Sequence, residues 1–382
     1  MASPRAGGAA DAGGAGKWGA QAKGGAASTL VSTASTATLM STGPSREGSL
    51  YELTDSTATT AALGSGLPRP CAAEAAAAAV KASSFLPVEK VLRPTDFELR
   101  ERMSRGKFAS VHRGVLQATG DARLAPGRPV VVKALQRSIP RIASEDEASN
   151  DLCSEIAVLA ALDHPRVVAF VGACFECQQI ALITELMPGG NLHQALHKQH
   201  REFARSEKFT LSRDLLEGLT YLHSRRPPVA HLDVKPLNLV LDAEGRRLKL
   251  CDFGLARFAS PAGQEAAKSP GGSPRYMAPE CHDSEFGPVT ELADVWSAGC
   301  VVLEIFSKIV PFAECSNTQQ ILGVMLVQHQ GPKLPATIEA TVQGAITCAL
   351  AFKARDRCSA GSILTQLTAM EGAAPAAGRL AE

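Results

Sequence analysis

The sequence predicts an α+β protein of two lobes, a small antiparallel β lobe with one main helix followed by a larger helical lobe. Three observations predict it. Short β-branched runs come first and helical spacing of apolar residues comes later, which is the order of an α+β arrangement. The globular texture persists over roughly 275 residues, near the upper limit for a single core. A Pro188-Gly189-Gly190 run stands where the pattern changes.

Residues 97–115 read as two short strands around a turn, and Val130-Val131-Val132-Lys133 reads as a β-branched strand. The Gly- and Pro-bearing stretch 118–129 between them is a surface loop. Leu152, Ile156, Leu159 and Leu162 follow helical spacing, which stops at Asp163-His164-Pro165. Strands are expected over 167–173 and 180–184, and a hinge from Met187 to Gly190. Helical periodicity marks 192–196 and 211–222, a strand-rich passage covers 239–250, and helices resume at Leu292. These boundaries give a folded region of 94–370, divided into a small lobe of 94–187 and a large lobe of 188–370.

The flanks are different. Residues 1–90 are dominated by Ala, Gly, Ser and Thr and offer too little apolar surface to offset chain entropy, so this region is expected to be disordered, as is the tail 371–382. An Ala run over 72–82 has local helical propensity. The N-terminus lacks a compact apolar run. Its Arg5, Lys17, Lys23 and Arg46 face only Asp11 before Glu47, which keeps an organelle transit peptide as an alternative to a regulatory tail.

A formal net charge of +1 without blocks of like charge argues against a nucleic-acid partner. The longest apolar candidate, 298–306, is short and interrupted by Glu304, so no membrane span is expected and the protein reads as soluble and cytoplasmic. Ten cysteines scattered singly among apolar residues read as reduced, buried thiols. Cys174-Phe-Glu-Cys177 has metal-ligand spacing, but without a second Cys/His pair two ordinary cysteines are the preferred reading.

The chemistry concentrates in three motifs. His231-Leu232-Asp233-Val234-Lys235-Pro236-Leu237-Asn238 places an Asp and an Asn five residues apart in a loop, Asp252-Phe253-Gly254 begins fourteen residues after that Asn, and Ala278-Pro279-Glu280 follows. Phosphoryl transfer requires cations that spread charge, carboxylates that hold a metal, and an acceptor for the hydroxyl proton. Alone, Asp233 and Asn238 read as turn residues; His231 and Lys235 beside them, and Asp252-Phe253-Gly254 at this spacing, make the set specific.

On these motifs the chain resembles the eukaryotic protein kinase family over residues 97–367, and the resemblance implies a two-lobed protein kinase fold. It implies Asp233 as the catalytic base with Lys235 and Asn238 beside it, and Asn238 and Asp252 as ligands of Mg2+. Lys133 would contact the phosphates of ATP, paired with Glu155. Met103, Ser104, Gly106, Ala109 and Val111 would line the nucleotide site from the glycine-rich loop and its strands. Val131 and Val240 would sandwich the ring with Val111, Thr184 would guard the rear of the pocket, and Glu185 and Met187 would offer hinge backbone groups. The plain alternatives are a surface lysine at 133 and generic core valines. Asp294 and Arg357 are assigned to structure, Asp294 bonding loop amides and Arg357 paired with Glu280. Cys251, beside Asp252, reads as a buried inert thiol.

Two departures stand out. The Gly-x-Gly-x-x-Gly pattern appears as Ser104-Arg105-Gly106-Lys107-Phe108-Ala109, which points to weaker ATP binding. Leu232 stands where many members carry an arginine that receives an activation-segment phosphate, so activity independent of Ser260 or Ser269 phosphorylation is expected. Lys235 with Ser273 resembles serine/threonine kinases, and the passages Val171-Gly-Ala-Cys174 and 183–192 resemble their tyrosine-kinase-like branch. A protein substrate is therefore implied. The competing readings are a nucleotide-binding pseudokinase or signalling scaffold, a dual-specificity kinase, and a kinase of small metabolites, the last disfavoured by Ala278-Pro279-Glu280 and Ser273.

Overall fold

Five antiparallel strands form the first sheet: β1 (Phe97–Arg105), β2 (Ala109–Leu116), β3 (Pro129–Gln136), β4 (Phe170–Glu176) and β5 (Gln179–Glu185), in spatial order β1-β2-β3-β5-β4. The computed structural model describes residues 86–105, 109–118, 125–136, 143–176, 179–258 and 272–371. Gly106, Cys177, Ser260, Ser269, the 72–82 run and the 371–382 tail beyond Glu371 lie outside them. Period-two alternation builds the sheet's faces. Val130, Val132 and Ala134 turn inward to a small core with Phe97, Leu116 and Ile183, while Val131 and Lys133 face the opposite side. That opposite side receives helix α1 (Ala143–Ala160), whose buried Leu152, Ile156 and Leu159 pack in one cluster with Ile180 and Leu182.

Gly189 and Gly190 carry the chain into the large lobe. The Gly189 amide donates to the Leu241 carbonyl at 3.0 Å, and the Leu241 amide returns a bond to Gly190 at 2.8 Å. A Cβ on Gly189 would lie 2.0 Å from the Asp242 carbonyl oxygen, so this close approach admits only glycine. After a π-helical turn at Gln194–Lys198 come α2 (Arg205–His223), the short strands β6 (Val229–Ala230), β7 (Leu239–Leu241), β8 (Leu248–Leu250) and β9 (Arg257–Phe258), and α3 (Leu292–Ser307). β7 pairs with β8, and β6 with β9. Helix α4 (Thr318–Leu322) leads to α5 (Ala340–Ala349) and α6 (Ala360–Glu371). Every residue of α3 from Ala293 to Ile305 is buried, as expected of a helix that is apolar all round and lies inside the lobe.

The structure moves several boundaries. The strand expected from 167 starts at Phe170, and Val167 makes only an isolated bridge to Leu250. The helix expected over 211–222 starts at Arg205, where the Glu207 carboxylate accepts from the Ala204 amide at 2.8 Å and caps the first turn. The 192–196 periodicity belongs to the π-helical turn. The expectation of reduced cysteines is corrected at one pair. Cys348, near the end of α5, and Cys358 form a disulfide, because the turn at Ala354–Asp356 folds the chain back until their Cα atoms are 5.8 Å apart. Among the described residues, Cys174, Cys251, Cys281, Cys300 and Cys315 are free thiols.

Arg357 closes the large lobe. Its guanidinium meets Glu280 through Nη2–Oε2 at 2.7 Å and Nη1–Oε1 at 2.5 Å, and donates to the carbonyls of Ala351, Phe352 and Leu292. Both side chains are fully buried. Removing the cation strands a carboxylate in the interior, so Arg357→Ala should lower unfolding stability by about 3–5 kcal/mol in urea titration. A loss below ~1 kcal/mol, the range of a surface pair, would contradict this account.

Candidate active site

The loop 231–238 is held from beneath by α3. Asp294, fully buried at the start of that helix, accepts from the amide of His231 at 2.8 Å (Oδ2) and from the amide of Leu232 at 2.7 Å (Oδ1). His223 Nε2 lies 3.0 Å from the same carboxylate. Leu232 is thereby kept at φ 62°, a left-handed conformation that costs a non-glycine residue roughly 1–2 kcal/mol. The turn aims Asp233 away from the core. Lys235 Nζ lies 2.8 Å from Asp233 Oδ2, and Asn238 Nδ2 donates to Asp233 Oδ2 at 2.7 Å and to its carbonyl at 2.9 Å. Asp233 is therefore oriented by two donors before any acceptor arrives.

A second constellation joins β3, α1 and the loop after β8. Lys133 Nζ donates to Glu155 Oε2 at 2.8 Å and to Asp252 Oδ1 at 2.9 Å. Burial works against the Lys133 charge, but the Glu155 and Asp252 carboxylates outweigh it and hold the ammonium above its ordinary pKa. Burial raises the Glu155 carboxyl in spite of Lys133. Desolvation also opposes the charge on Asp252, yet the lysine beside it holds that carboxyl below the usual range. Asp252 itself sits at φ 62°, and its side chain is 45% exposed toward the cleft.

Strand register puts the remaining candidates on one surface. Val111 lies opposite Lys133, Ala109 opposite Leu135, and Thr184 opposite Val131. Paired residues share a sheet face, so Ala109, Val111, Val131, Lys133 and Thr184 line the same side. Ser104 joins them opposite Val111. Met103 falls at the β-bulge between Arg102 and Ser104 and is half exposed. Glu185 ends β5 at the hinge, and Met187 and Val240 are partly buried against the large-lobe core. Gly106 lies outside the described residues. Cys251 donates its amide to the Asn238 carbonyl at 3.0 Å; it is partly rather than fully buried, and desolvation pushes its thiol up, which disfavours the reactive thiolate.

The donor set suits a hard divalent cation. Asn238 spends its Nδ2 on Asp233, which leaves Oδ1 as the side chain's acceptor, and Asp252 adds a carboxylate open to the cleft. Sequence reading missed the contacts of two glutamates here. The Glu185 side chain accepts from Lys249 Nζ at 2.5 Å and from the Ala169 amide at 2.6 Å, so this hinge residue is anchored by its side chain. Glu304, read only as a charge interrupting an apolar stretch, accepts from the Tyr276 hydroxyl at 2.7 Å and lies 2.6 Å from His197 Nε2. No local spacing announces contacts between residues so far apart in sequence.

Comparison with known proteins gives a consistent result. Residues 97–367 match the protein kinase domain family. The serine/threonine-protein kinase CTR1 of Arabidopsis thaliana is 30% identical over 253 residues, covering 64% of this chain and 29% of that protein. The probable serine/threonine-protein kinase SIS8 of the same plant is 28% identical over 271 residues, 71% of this chain and 25% of the relative. The dual specificity protein kinase shkC of Dictyostelium discoideum is 30% identical over 249 residues, 64% of this chain and 45% of the relative. The chain thus spans less than half the length of these relatives.

Replacing Asp294 with Asn substitutes an amide donor for one of two buried acceptors. Hydrogen exchange at the His231 and Leu232 amides should then quicken by about tenfold or more, the cost of a stranded buried donor. Unchanged protection at both amides would remove Asp294 as the loop's support.

Proposed function

The chain belongs to the protein kinase family, in its tyrosine-kinase-like branch, and on that premise we propose that it transfers the γ-phosphate of ATP to serine and threonine hydroxyls of protein substrates. The catalytic unit in this reading is 94–370, with the small lobe 94–187 above the hinge and the large lobe 188–370 below it. The observation that carries the reading is Lys133, whose ammonium stands between Glu155 and Asp252 at 2.8 and 2.9 Å. A cation so fixed is suited to phosphate oxygens, and the surface shared by Ala109, Val111, Val131 and Thr184 beside it is suited to a nucleoside.

The residues then divide the work. Asp233, steered by Lys235 and Asn238, accepts the hydroxyl proton of the acceptor. Lys235 adds a positive charge next to the transfer. Asn238 and Asp252 hold Mg2+, which when bound neutralises charge on the phosphates. Lys235 and Ser273 favour serine and threonine acceptors. Tyrosine is the second acceptor class, in view of a relative named as dual specificity.

Leu232 supports a particular mode of control. Its side chain packs against the cluster containing Met277, Ala278 and Trp296, so the segment before Glu280 is docked on apolar surface next to the catalytic loop. A phosphate-receiving cation is absent at that position.

Asp233→Asn should lower phosphoryl transfer to a protein acceptor by ~10²–10⁴-fold while Mg2+-dependent nucleotide affinity is retained. Equal low incorporation by wild type and variant would leave a nucleotide-binding scaffold instead. Exhaustive phosphatase treatment of the full chain should leave its activity unchanged; complete loss, restored on rephosphorylation of Ser260 or Ser269, would overturn control by packing.

A further inference from the structure

Away from the nucleotide face, the π-helical turn after the hinge and helix α3 bring together a second set of ligand-type side chains. His193 and His197 lie four residues apart on that turn, with ring centroids 5.0 Å apart and planes tilted by 43°. The turn is closed by an i→i+5 bond from the Gln199 amide to the Gln194 carbonyl at 2.8 Å, with His193 at its N-cap and His197 within it. Glu304, fully buried on α3, presents Oε1 2.6 Å from His197 Nε2. One ligand atom from each of the three residues falls within 4.8 Å of the others. We propose that His193, His197 and Glu304 form a binding site for a divalent transition-metal ion, with Zn2+ the best match.

The donor set decides the metal. Two imidazole nitrogens and one carboxylate oxygen are a zinc set, with a fourth position for water, whereas Mg2+ and Ca2+ prefer all-oxygen cages. The carboxylate is already oriented from behind by the Tyr276 hydroxyl on Oε2 at 2.7 Å, and the Tyr276 carbonyl accepts from Ser297 Oγ at 2.6 Å. Such an outer shell fixes a metal-binding carboxylate. Access is open, since the His197 side chain is 23% exposed and His193 is also partly exposed. Closing on an ion with bonds of ~2.0–2.1 Å at tetrahedral angles requires the His197 nitrogen and Glu304 oxygen, 2.6 Å apart, to part by about 0.7 Å and His193 to approach. The ion would tie the first turn after the hinge to α3 and, through Tyr276, to the segment ending at Ala278. None of this depends on phosphoryl transfer.

Co2+ is the probe, because its visible spectrum reports ligands directly and its readout is independent of kinase activity. Titrating the full chain should give the d–d bands of a tetrahedral nitrogen/oxygen site without a thiolate charge-transfer band, and Zn2+ should bleach them at one equivalent. His193→Gln and His197→Gln, both substitutions on the accessible side, should each weaken Co2+ binding at least tenfold while thermal unfolding in chelator stays cooperative. Absence of these bands at millimolar Co2+, bands of thiolate type, or equal affinity in wild type and both variants would each overturn the proposal. Should either variant fail to fold, Zn2+ protection of the wild-type histidines from diethyl pyrocarbonate decides: modification of His193 and His197 must be suppressed, and unchanged labelling refutes the site.

Discussion

The Asp294 carboxylate is the constraint on which the catalytic loop depends. A charge buried inside an apolar helix is expensive unless its lone pairs are taken, and here two loop amides and His223 take them. In return the loop acquires a conformation it would not hold alone, with Leu232 in the left-handed region. The direction of Asp233 is thus set by the core of the large lobe. α3 can do this because it is buried on every side, so its first turn is as immobile as the lobe itself.

Lys133 makes the corresponding link for the small lobe. The three members of this triad come from different levels of structure: Lys133 from a strand, Glu155 from a helix and Asp252 from a loop more than a hundred positions later. The ion triad exists only when α1 is packed on the sheet and the loop after β8 stands in the cleft, so one ammonium reads the position of both. One cation facing two carboxylates also explains the electrostatics. Lys133 is held charged and Asp252 is held ionised, while buried Glu155 is the partner whose charge is least favoured.

Much of this was legible in the sequence because it is encoded locally. The valines of β3 alternate about Lys133, and the Asp233–Asn238 spacing sets the loop whose amide-to-carboxylate bond appears at 2.7 Å. The ion pair of Arg357 with Glu280 was legible only through resemblance, since 77 residues separate them. What stayed hidden shares one property: the partners are joined by tertiary packing and by no motif. Cys348 and Cys358 meet because an intervening turn reverses the chain, and neither residue differs in its surroundings from the scattered thiols. His197 and Glu304 belong to separate elements, and a buried glutamate within an apolar run looks in sequence like a defect in a helix. Helix and strand ends shifted for a simpler reason, because capping and isolated bridges are decided by neighbours that apolar periodicity does not record.

The leucine beside the catalytic aspartate joins these levels. A cation at 232 would need an anion opposite, and its docking energy would rise and fall with that anion's charge. Leucine instead adds to the apolar cluster around Met277, Ala278, Phe312 and Trp296, which also packs against Tyr276. Arg275 reinforces the dock by donating to the carbonyls of Pro311, Phe312 and Cys315. The segment's far end is then closed by Glu280 on Arg357. Apolar burial of this kind has no charge for salt to screen and needs no phosphate partner, unlike a surface ion pair. The left-handed strain at Leu232 is consistent with such an arrangement, because the same backbone turn that presents Asp233 to the cleft sends the side chain of residue 232 toward the segment it helps to hold.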